Sequence, residues 1–153
     1  MGDVPRTSRK EHDTMRPLNL KHAAIMDALT FGMGGDKTHR RIDNHPGTFM
    51  AVVVEIVGPS RYSVAHYYKQ NGDLVPDPDV EFVRQNVAWY PVAISQWCGY
   101  RRAAETDEDG RIVKWHRRAY RDLRSFAGIF LTNIRDQQGE FRDSDRVGHA
   151  GDE

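Results

Sequence analysis

The chain has 153 residues, with 22 Lys or Arg against 22 Asp or Glu, so its formal net charge is zero. This length fits one domain, and 10% aromatic residues supply enough bulk for a core. No run reaches the roughly 20 apolar residues of a membrane span, no apolar signal region precedes residue 16, and one cysteine excludes a disulfide framework. We therefore expect a cytoplasmic protein without membrane contact.

Both ends of the chain are polar. Residues 1–16 hold four basic side chains and almost no bulky apolar residue, which predicts a flexible basic arm. Residues 139–153 combine glycines with acidic side chains and predict a disordered acidic tail. Residues 17–138 are therefore expected to form a single domain.

The first predicted element is a helix that begins after Asn19, a residue suited to an N-cap, and continues through Leu29. Glycines at 32–35 end it, and residues 36–47 are expected to form a polar loop. The β-branched, almost wholly apolar run 49–57 predicts a strand in the interior of a sheet.

Three further strands are predicted over 62–69, 80–85 and 89–97. Pro76 and Pro78 are expected to keep their stretch out of regular structure, and Pro91 favours a sheet edge or a strand start, because proline cannot donate to a ladder. Exposed tryptophans near 89–97 would suit a self-association edge, so a homodimer is one expected state.

A hairpin and a helix complete the chain. Strands over 100–105 and 111–115 flank an Asp-Gly turn at 109–110. Apolar residues then recur at three- and four-residue steps from 117 to 135, which predicts an amphipathic helix closed by Asn133 and Gly139. The order of elements predicts an α+β fold: an antiparallel sheet of about four to six strands with an N-terminal and a C-terminal helix packed on it.

Several phrases together resemble one family. They are Asp43-Asn44, residues 47–50, the stretch from Ser63 to Leu74, residues 77–82, and residues 89–92. This combination is similar to a small domain of unknown function carried by phages, plasmids and integrative elements, sometimes within polyvalent proteins. The resemblance covers about residues 40–100 and implies a mobile-element setting. It assigns no catalytic residue.

A polar-aromatic segment on the second strand supplies one candidate site. His66 and Tyr68 share a strand face, and Asp73 follows at the turn, so the three could line a pocket in which the histidine is a general base. The alternative interpretation is structural: aromatic packing beside an ordinary Asn-Gly-Asp turn.

A basic segment at residues 111–124 supplies the second candidate site. Its cations could contact phosphates while the neighbouring Trp115 and Tyr120 stack on bases. Alternatively, acidic residues of the hairpin (105–109) neutralise it through surface ion pairs. Arg101, Arg102, Arg40 and Arg41 could enlarge it. The segment consists of Arg111, Lys114, Arg117, Arg118, Arg121 and Arg124.

Other motifs predict no chemistry. The acidic residues at 73–81 do not have EF-hand spacing, the glycines at 32–35 follow a helix and lack a P-loop arrangement, and Cys98 has no identifiable catalytic partner. No catalytic, cofactor-binding or metal-binding residue is assigned, and no cofactor is expected.

Three functions follow. The first is a non-enzymatic accessory binding protein of a phage or plasmid, whose partner is a host protein or a nucleoprotein complex; an inhibitor of a host defence system fits that setting. The second is a nucleic-acid-binding protein that uses the basic segment. The third is a small enzyme with a His66/Asp73 pocket. A non-enzymatic role is favoured because no catalytic signature is present.

Overall fold

A computed structural model describes residues 14–141. Most of the predicted basic arm and of the predicted acidic tail, residues 1–13 and 142–153, lies outside the described residues.

Two helices and eight strands make up the described chain. In order they are α1 (Leu20–Leu29), β1 (His39–Ile42), β2 (Val52–Gly58), β3 (Arg61–Gln70), β4 (Asp73–Gln85), β5 (Ala88–Gln96), β6 (Gly99–Arg102), β7 (Ala104–Thr106), β8 (Ile112–Trp115) and α2 (Arg117–Gln138). Strands β1 to β6 form one antiparallel sheet in sequence order, and β7 pairs with β8 in a separate ribbon. The α+β prediction is confirmed.

Both helices have the ends that the sequence predicts. The side chain of Asn19 accepts a hydrogen bond of 2.9 Å from the backbone N–H of His22 and caps α1. Gly139 ends α2 at a positive φ of 70°. Asn133 does not end the helix, which continues through Gln138.

The main core lies between the helices and one face of the sheet. Val54, Val64 and Phe82 project from neighbouring strands into the same buried cluster as Leu123 and Ala127 of α2. Because side chains alternate along a strand, residues one position away from these point to the opposite face.

Strand β1 corrects the prediction of a polar loop over 36–47. His39–Ile42 pairs with β2, and Ile42 is fully buried. The sequence predicts a loop here because the other three residues are polar. The burial of Ile42 and the hydrogen-bonded pairing with the apolar β2 nevertheless stabilise a strand. The position of β2 between β1 and β3 confirms that the run 49–57 is interior to the sheet.

The prolines of β4 and β5 also correct the sequence predictions. Strand β4 continues through Pro76 and Pro78, with a register irregularity between Ala65 and Tyr67 of β3 that accommodates them. Pro91 lies in a strand paired on both sides, but β6 pairs only with residues 93–96. The large sheet therefore continues on only one side of Pro91, and its missing N–H breaks no ladder to β6.

The predicted hairpin over 100–115 divides at Ala103. Residues 99–102 continue the large sheet as β6, whereas β7 and β8 form the ribbon around the 107–110 turn. Ala104 packs with Val83 and Val92 in a second, small buried cluster.

The prediction of exposed tryptophans holds for Trp97 alone, which is 76% exposed. Trp89 is fully buried, and its indole N–H donates a hydrogen bond of 2.8 Å to Asp27 of α1.

Candidate functional site

His66, the centre of the first predicted site, is buried under α2. It is 6% exposed, and its ring packs edge-to-face on Phe130 with 5.3 Å between centroids. Burial lowers the pKa of the imidazole, which favours the neutral form. Its Nε2 atom is buried without a hydrogen-bond partner among the residues that the structure describes.

The structure does not bring Asp73 to His66. Asp73 pairs with Gln70 at the far end of the β3–β4 hairpin, four residues from His66 along β3, or about 13 Å at 3.3 Å per residue. Tyr68 lies two positions beyond His66 and pairs with Val75.

A different set of residues surrounds His66. A pocket of about 420 Å³ lies between α2, the chain before β2, and β4, and His66 lines it. Asp77, not Asp73, is the carboxylate in its wall. We call this the His66 pocket; its polar lining is Thr48, His66, Asp77, Asn133 and Gln137, and its aromatic lining includes Phe126 and Phe130.

Sequence reasoning missed Asp77, Asn133 and Gln137 as pocket residues. In the sequence, Asn133 is typical of a helix end. Asp77 faces the pocket because the register of the β3–β4 pairing shifts at this point, and Gln137 does so because α2 continues beyond its predicted end. The three- and four-residue spacing of 126, 130, 133 and 137 along the helix is the signal that could have found part of the set.

The second predicted site is divided by the structure. Arg117, Arg118 and Arg121 are exposed on the first turns of α2. Arg124 is not available in the same way, because its Nε donates a hydrogen bond of 2.7 Å to the backbone oxygen of Pro17 and holds the chain before α1.

Arg111 and Lys114 lie on the ribbon, beside acidic residues. Lys114 pairs with Glu105 in the ladder, and Arg111 follows the acidic turn. That turn packs away from α2: a Cβ added to Gly110 would lie 2.2 Å from the backbone oxygen of Pro59, in the β2–β3 turn.

Two hairpin acids contact groups within the hairpin or next to it. Glu105 contacts His116 at 3.2 Å, and Asp107 accepts hydrogen bonds from the backbone N–H groups of Asp109 and Arg111. Within residues 14–141, the Arg118 and Arg121 side chains form no ion pair.

Two arginines of β6 lie against α2, the helix that carries the exposed arginines. Arg101 and Arg102 line a groove of about 320 Å³ together with Ala119, Asp122, Leu123 and Phe126 of α2. All four residues of β6 are exposed. We call the exposed set Arg101, Arg102, Arg117, Arg118 and Arg121 the basic surface.

The start of α2 adds to the positive potential of the basic surface. His116 makes no side-chain cap, and the first turn holds no acidic residue. The partial positive charge of a helix N-terminus is therefore reinforced by the arginines. The guanidinium of Arg117 lies over the ring of Trp115, 6.0 Å from its centroid.

The arginines at 40 and 41 do not join the basic surface. Arg40 donates hydrogen bonds to the backbone oxygens of Leu29 (2.6 Å) and Phe31 (2.7 Å) at the C-terminal end of α1. Arg41 forms an ion pair of 2.9 Å with Asp43.

Acidic side chains gather on the sheet face that points away from the helices. Glu81 forms an ion pair of 2.7 Å with Arg61, and Asp79 accepts a hydrogen bond of 2.6 Å from Ser63. Burial raises the pKa of Asp79, and the carboxylates of Glu81 and Glu55 add to this while the Ser63 hydrogen bond opposes it. In residues 14–141 no group of three or more His, Cys, Asp and Glu side chains could hold a metal ion.

The Asp43-Asn44 phrase has a structural role. The buried Gln138 accepts a hydrogen bond of 2.8 Å from the backbone N–H of Asn44 and donates one of 3.1 Å to the backbone oxygen of Met50. The Asn44 amide in turn donates to the backbone oxygens of Gln138 and Glu140. These bonds fix the end of α2 against the chain that precedes β2, which forms one wall of the His66 pocket.

Fold and surfaces together define a small α+β domain whose helical side carries a basic surface and an adjoining pocket. The chain belongs to the family described as Domain of unknown function (DUF6908), whose model matches residues 20–140. Comparison with curated proteins and with solved structures gave no significant match. Neither helix of the described chain is long and apolar enough to cross a membrane.

Proposed function

We propose that this protein binds single-stranded nucleic acid through the basic surface. The observation that carries the proposal is the exposure of four arginines without an ion pair among residues 14–141: Arg101 and Arg102 line the groove, and Arg118 and Arg121 are exposed on the first turns of the helix that forms its other wall. Guanidinium groups contact phosphate oxygens through two parallel hydrogen bonds, so such a cluster suits a phosphodiester backbone.

Exposed aromatic side chains favour a single strand over a duplex. Trp97 is 76% exposed and follows Gln96, which lines the groove, whereas Tyr100, 49% exposed, pairs with Ser95 and faces the same side of the sheet as Asp79. Single-strand binding proteins combine a positively charged groove with aromatic rings on which unpaired bases stack. The bases of a duplex are already stacked on one another and gain nothing from such rings.

The zero net charge is compatible with this proposal because acidic side chains cluster away from the arginines, although the groove lining itself contains Asp122. Asp79 and Glu81 point to the sheet face opposite the helices, and the acidic turn 107–109 packs towards Pro59. At physiological salt, exposed charges more than about 8 Å apart are largely screened from one another. A bound strand therefore experiences mainly the arginines that it contacts.

The biological setting in this proposal is a mobile genetic element, for which the resemblance of residues 40–100 is the support. There the bound strand would belong to a nucleoprotein complex of the host, and inhibition of a host defence system is one outcome of such binding. A pull-down from host lysate tests this part: capture of host protein that nuclease abolishes supports it, and absence of capture with or without nuclease contradicts it.

Direct strand binding is tested with a fluorescent 20-nucleotide single strand and its duplex, by anisotropy. Replacing Arg118 and Arg121 with Ser should weaken single-strand binding roughly tenfold or more, since two charge-assisted contacts are lost. The matched control replaces Arg111 and Lys114 with Ser; it removes the same charge from exposed positions on the ribbon and should change affinity little. Equal losses in both variants would contradict the basic surface as the site.

A second candidate function is β-strand pairing with another protein or with a second copy of the chain. The observation that favours it is the edge position of β6, which pairs with β5 alone in the described sheet. Light scattering after size exclusion tests the homodimer: a mass of twice the chain supports it, and the mass of a single chain contradicts it.

A further inference from the structure

We propose that the His66 pocket receives an unpaired nucleobase from the strand held by the basic surface; this inference rests on the proposed function and deepens it. The pocket, of about 420 Å³, falls within the usual range of small-ligand sites, about 300–1,000 Å³. A nucleobase, which is a flat aromatic heterocycle, is the part of a nucleic acid that a pocket of this size can enclose.

The pocket and the basic groove are neighbours that share one lining residue. Phe126 lines both: the groove continues from it towards Leu123 and Ala119, and the pocket continues towards Phe130 and Asn133. These residues recur every three or four positions and therefore lie along one side of α2.

The distance along that side suits one short strand. Arg118 and Asn133 are fifteen residues apart in α2, which is about 22 Å at 1.5 Å per residue. A strand whose phosphates contact the arginines can thus place a base several nucleotides further along in the pocket.

The charge of the lining selects a base rather than a phosphate. No Lys or Arg lines the pocket, and Asp77 would repel an anion. The groove at the other end of the same side of the helix has two arginines, Arg101 and Arg102, against one carboxylate, Asp122. Phosphate contact and base contact are therefore assigned to different parts of one surface.

The polar groups of the lining match the edge of a base. Asn133 and Gln137 each offer a donor and an acceptor, Thr48 offers a hydroxyl group, and ionised Asp77 offers acceptors only. Unpaired bases are recognised by such groups on their exposed edges while their faces stack on aromatic rings. The acceptor-only carboxylate favours bases that carry an amino group, namely adenine, cytosine and guanine, over thymine.

His66 adds a polar group that has no hydrogen-bond partner within residues 14–141. Its Nε2 is buried with no partner in the described chain, and an unsatisfied buried polar atom is unfavourable. A ligand that enters beside the imidazole and supplies a hydrogen bond relieves this.

The test compares 12-nucleotide single strands with and without a central base. Replacing Asn133 and Gln137 together with Ala should weaken binding of the base-containing strand about tenfold, the effect of losing one bound base. The abasic strand should bind both proteins equally, and the salt dependence of binding should not change. The matched control is Ser125→Ala, an exposed position on another side of α2 that lines neither the groove nor the pocket.

The outcomes separate this inference from the proposed function. If the wild-type protein binds strands but the pocket variant binds them equally well, or loses the same affinity for the abasic strand, the nucleobase pocket is overturned and the basic surface stands. If the wild-type protein binds no strand, the proposed function fails. Base binding by the pocket is then tested by NMR. Adenosine, cytidine or thymidine is added to about 5 mM, which suits Kd values near 1 mM, while the His66 ring signals are followed. Shifts with adenosine or cytidine support the pocket, and unchanged His66 signals overturn it.

Discussion

Arg40 provides a sharp test of which arginines build the fold and which ones are free to bind. Its guanidinium lies at the C-terminal end of α1 and donates to the backbone oxygens of Leu29, Phe31 and, at 3.3 Å, Ala28. Last-turn carbonyls have no partner within a helix, and a cation there also interacts favourably with the helix dipole. Arg40→Ala removes all of these contacts at once.

The expected loss can be worked from these contacts. The two short hydrogen bonds, 2.6 and 2.7 Å, come from a charged donor and each contribute about 1.5 kcal/mol, the lower end for such bonds, and the dipole interaction contributes about 0.3–1 kcal/mol. Water replaces part of this at the partly exposed site. We therefore expect Arg40→Ala to lower the free energy of unfolding by about 2–3 kcal/mol. Arg40→Lys keeps the charge but not the fork, and should lose roughly half as much.

Urea denaturation measures the stability, and oligonucleotide anisotropy measures binding at concentrations where each variant is folded. The matched variant is Arg101→Ala, which also removes a strand arginine but belongs to the basic surface. It should change stability by less than about 0.5 kcal/mol and weaken binding, whereas Arg40→Ala should leave binding unchanged. A stable Arg40→Ala protein, or one that loses as much affinity as Arg101→Ala, would refute the reasoning.

Three further predictions concern stability, each read by urea denaturation. Gln138→Ala leaves the backbone N–H of Asn44 and the backbone oxygen of Met50 without their partner, and should lower the free energy of unfolding by about 2–3 kcal/mol. A loss below about 0.5 kcal/mol, the size typical of a surface substitution, would contradict these contacts. Gly110→Ala places a Cβ 2.2 Å from the Pro59 oxygen at a φ of +86° and should cost more than Gly99→Ala, which meets open space; equal losses would count against the packing of this turn. Burial lowers the pKa of His66 below its ordinary 6.5, so the unfolded chain binds the proton more readily, and stability should fall as the pH drops below about 6.5. His66→Leu should reduce this acid loss, and an unchanged pH profile would show that His66 is not the group responsible.

The elements with strong periodicity were predictable from the sequence. The stripe along α2, the apolar run of β2 and the Asn19 cap are local signals, and each appears in the structure where the pattern indicates it. Local patterns sufficed for the α+β class because short turns between strands leave few ways to connect an antiparallel sheet.

What was missed depends on contacts between distant segments. Strand β1 is held by its ladder to β2 and by the burial of Ile42, neither of which shows in a polar stretch. The prolines of β4 are tolerated because of an irregularity in the pairing with β3, which a rule based on single residues cannot anticipate.

The candidate sites show the same limit. The helix arginines were identified by composition, but only the fold shows that Arg124 holds Pro17 and that Arg101 and Arg102 lie against α2. His66 was identified by its residue type, yet its neighbours come from β4 and from the last turns of α2.

The salt dependence of single-strand binding by the wild-type protein tests the central claim most directly. Four arginines that each neutralise one phosphate give a slope of log K against log salt of about −3, from −0.7 per contact. The slope is measured by anisotropy between about 50 and 300 mM salt, a range over which such losses are large. The basic surface predicts a slope near −3 (about −0.7 for each of four contacts), roughly halved when Arg118 and Arg121 are both replaced with Ser. Absence of binding, or binding whose affinity does not change with salt, would contradict it.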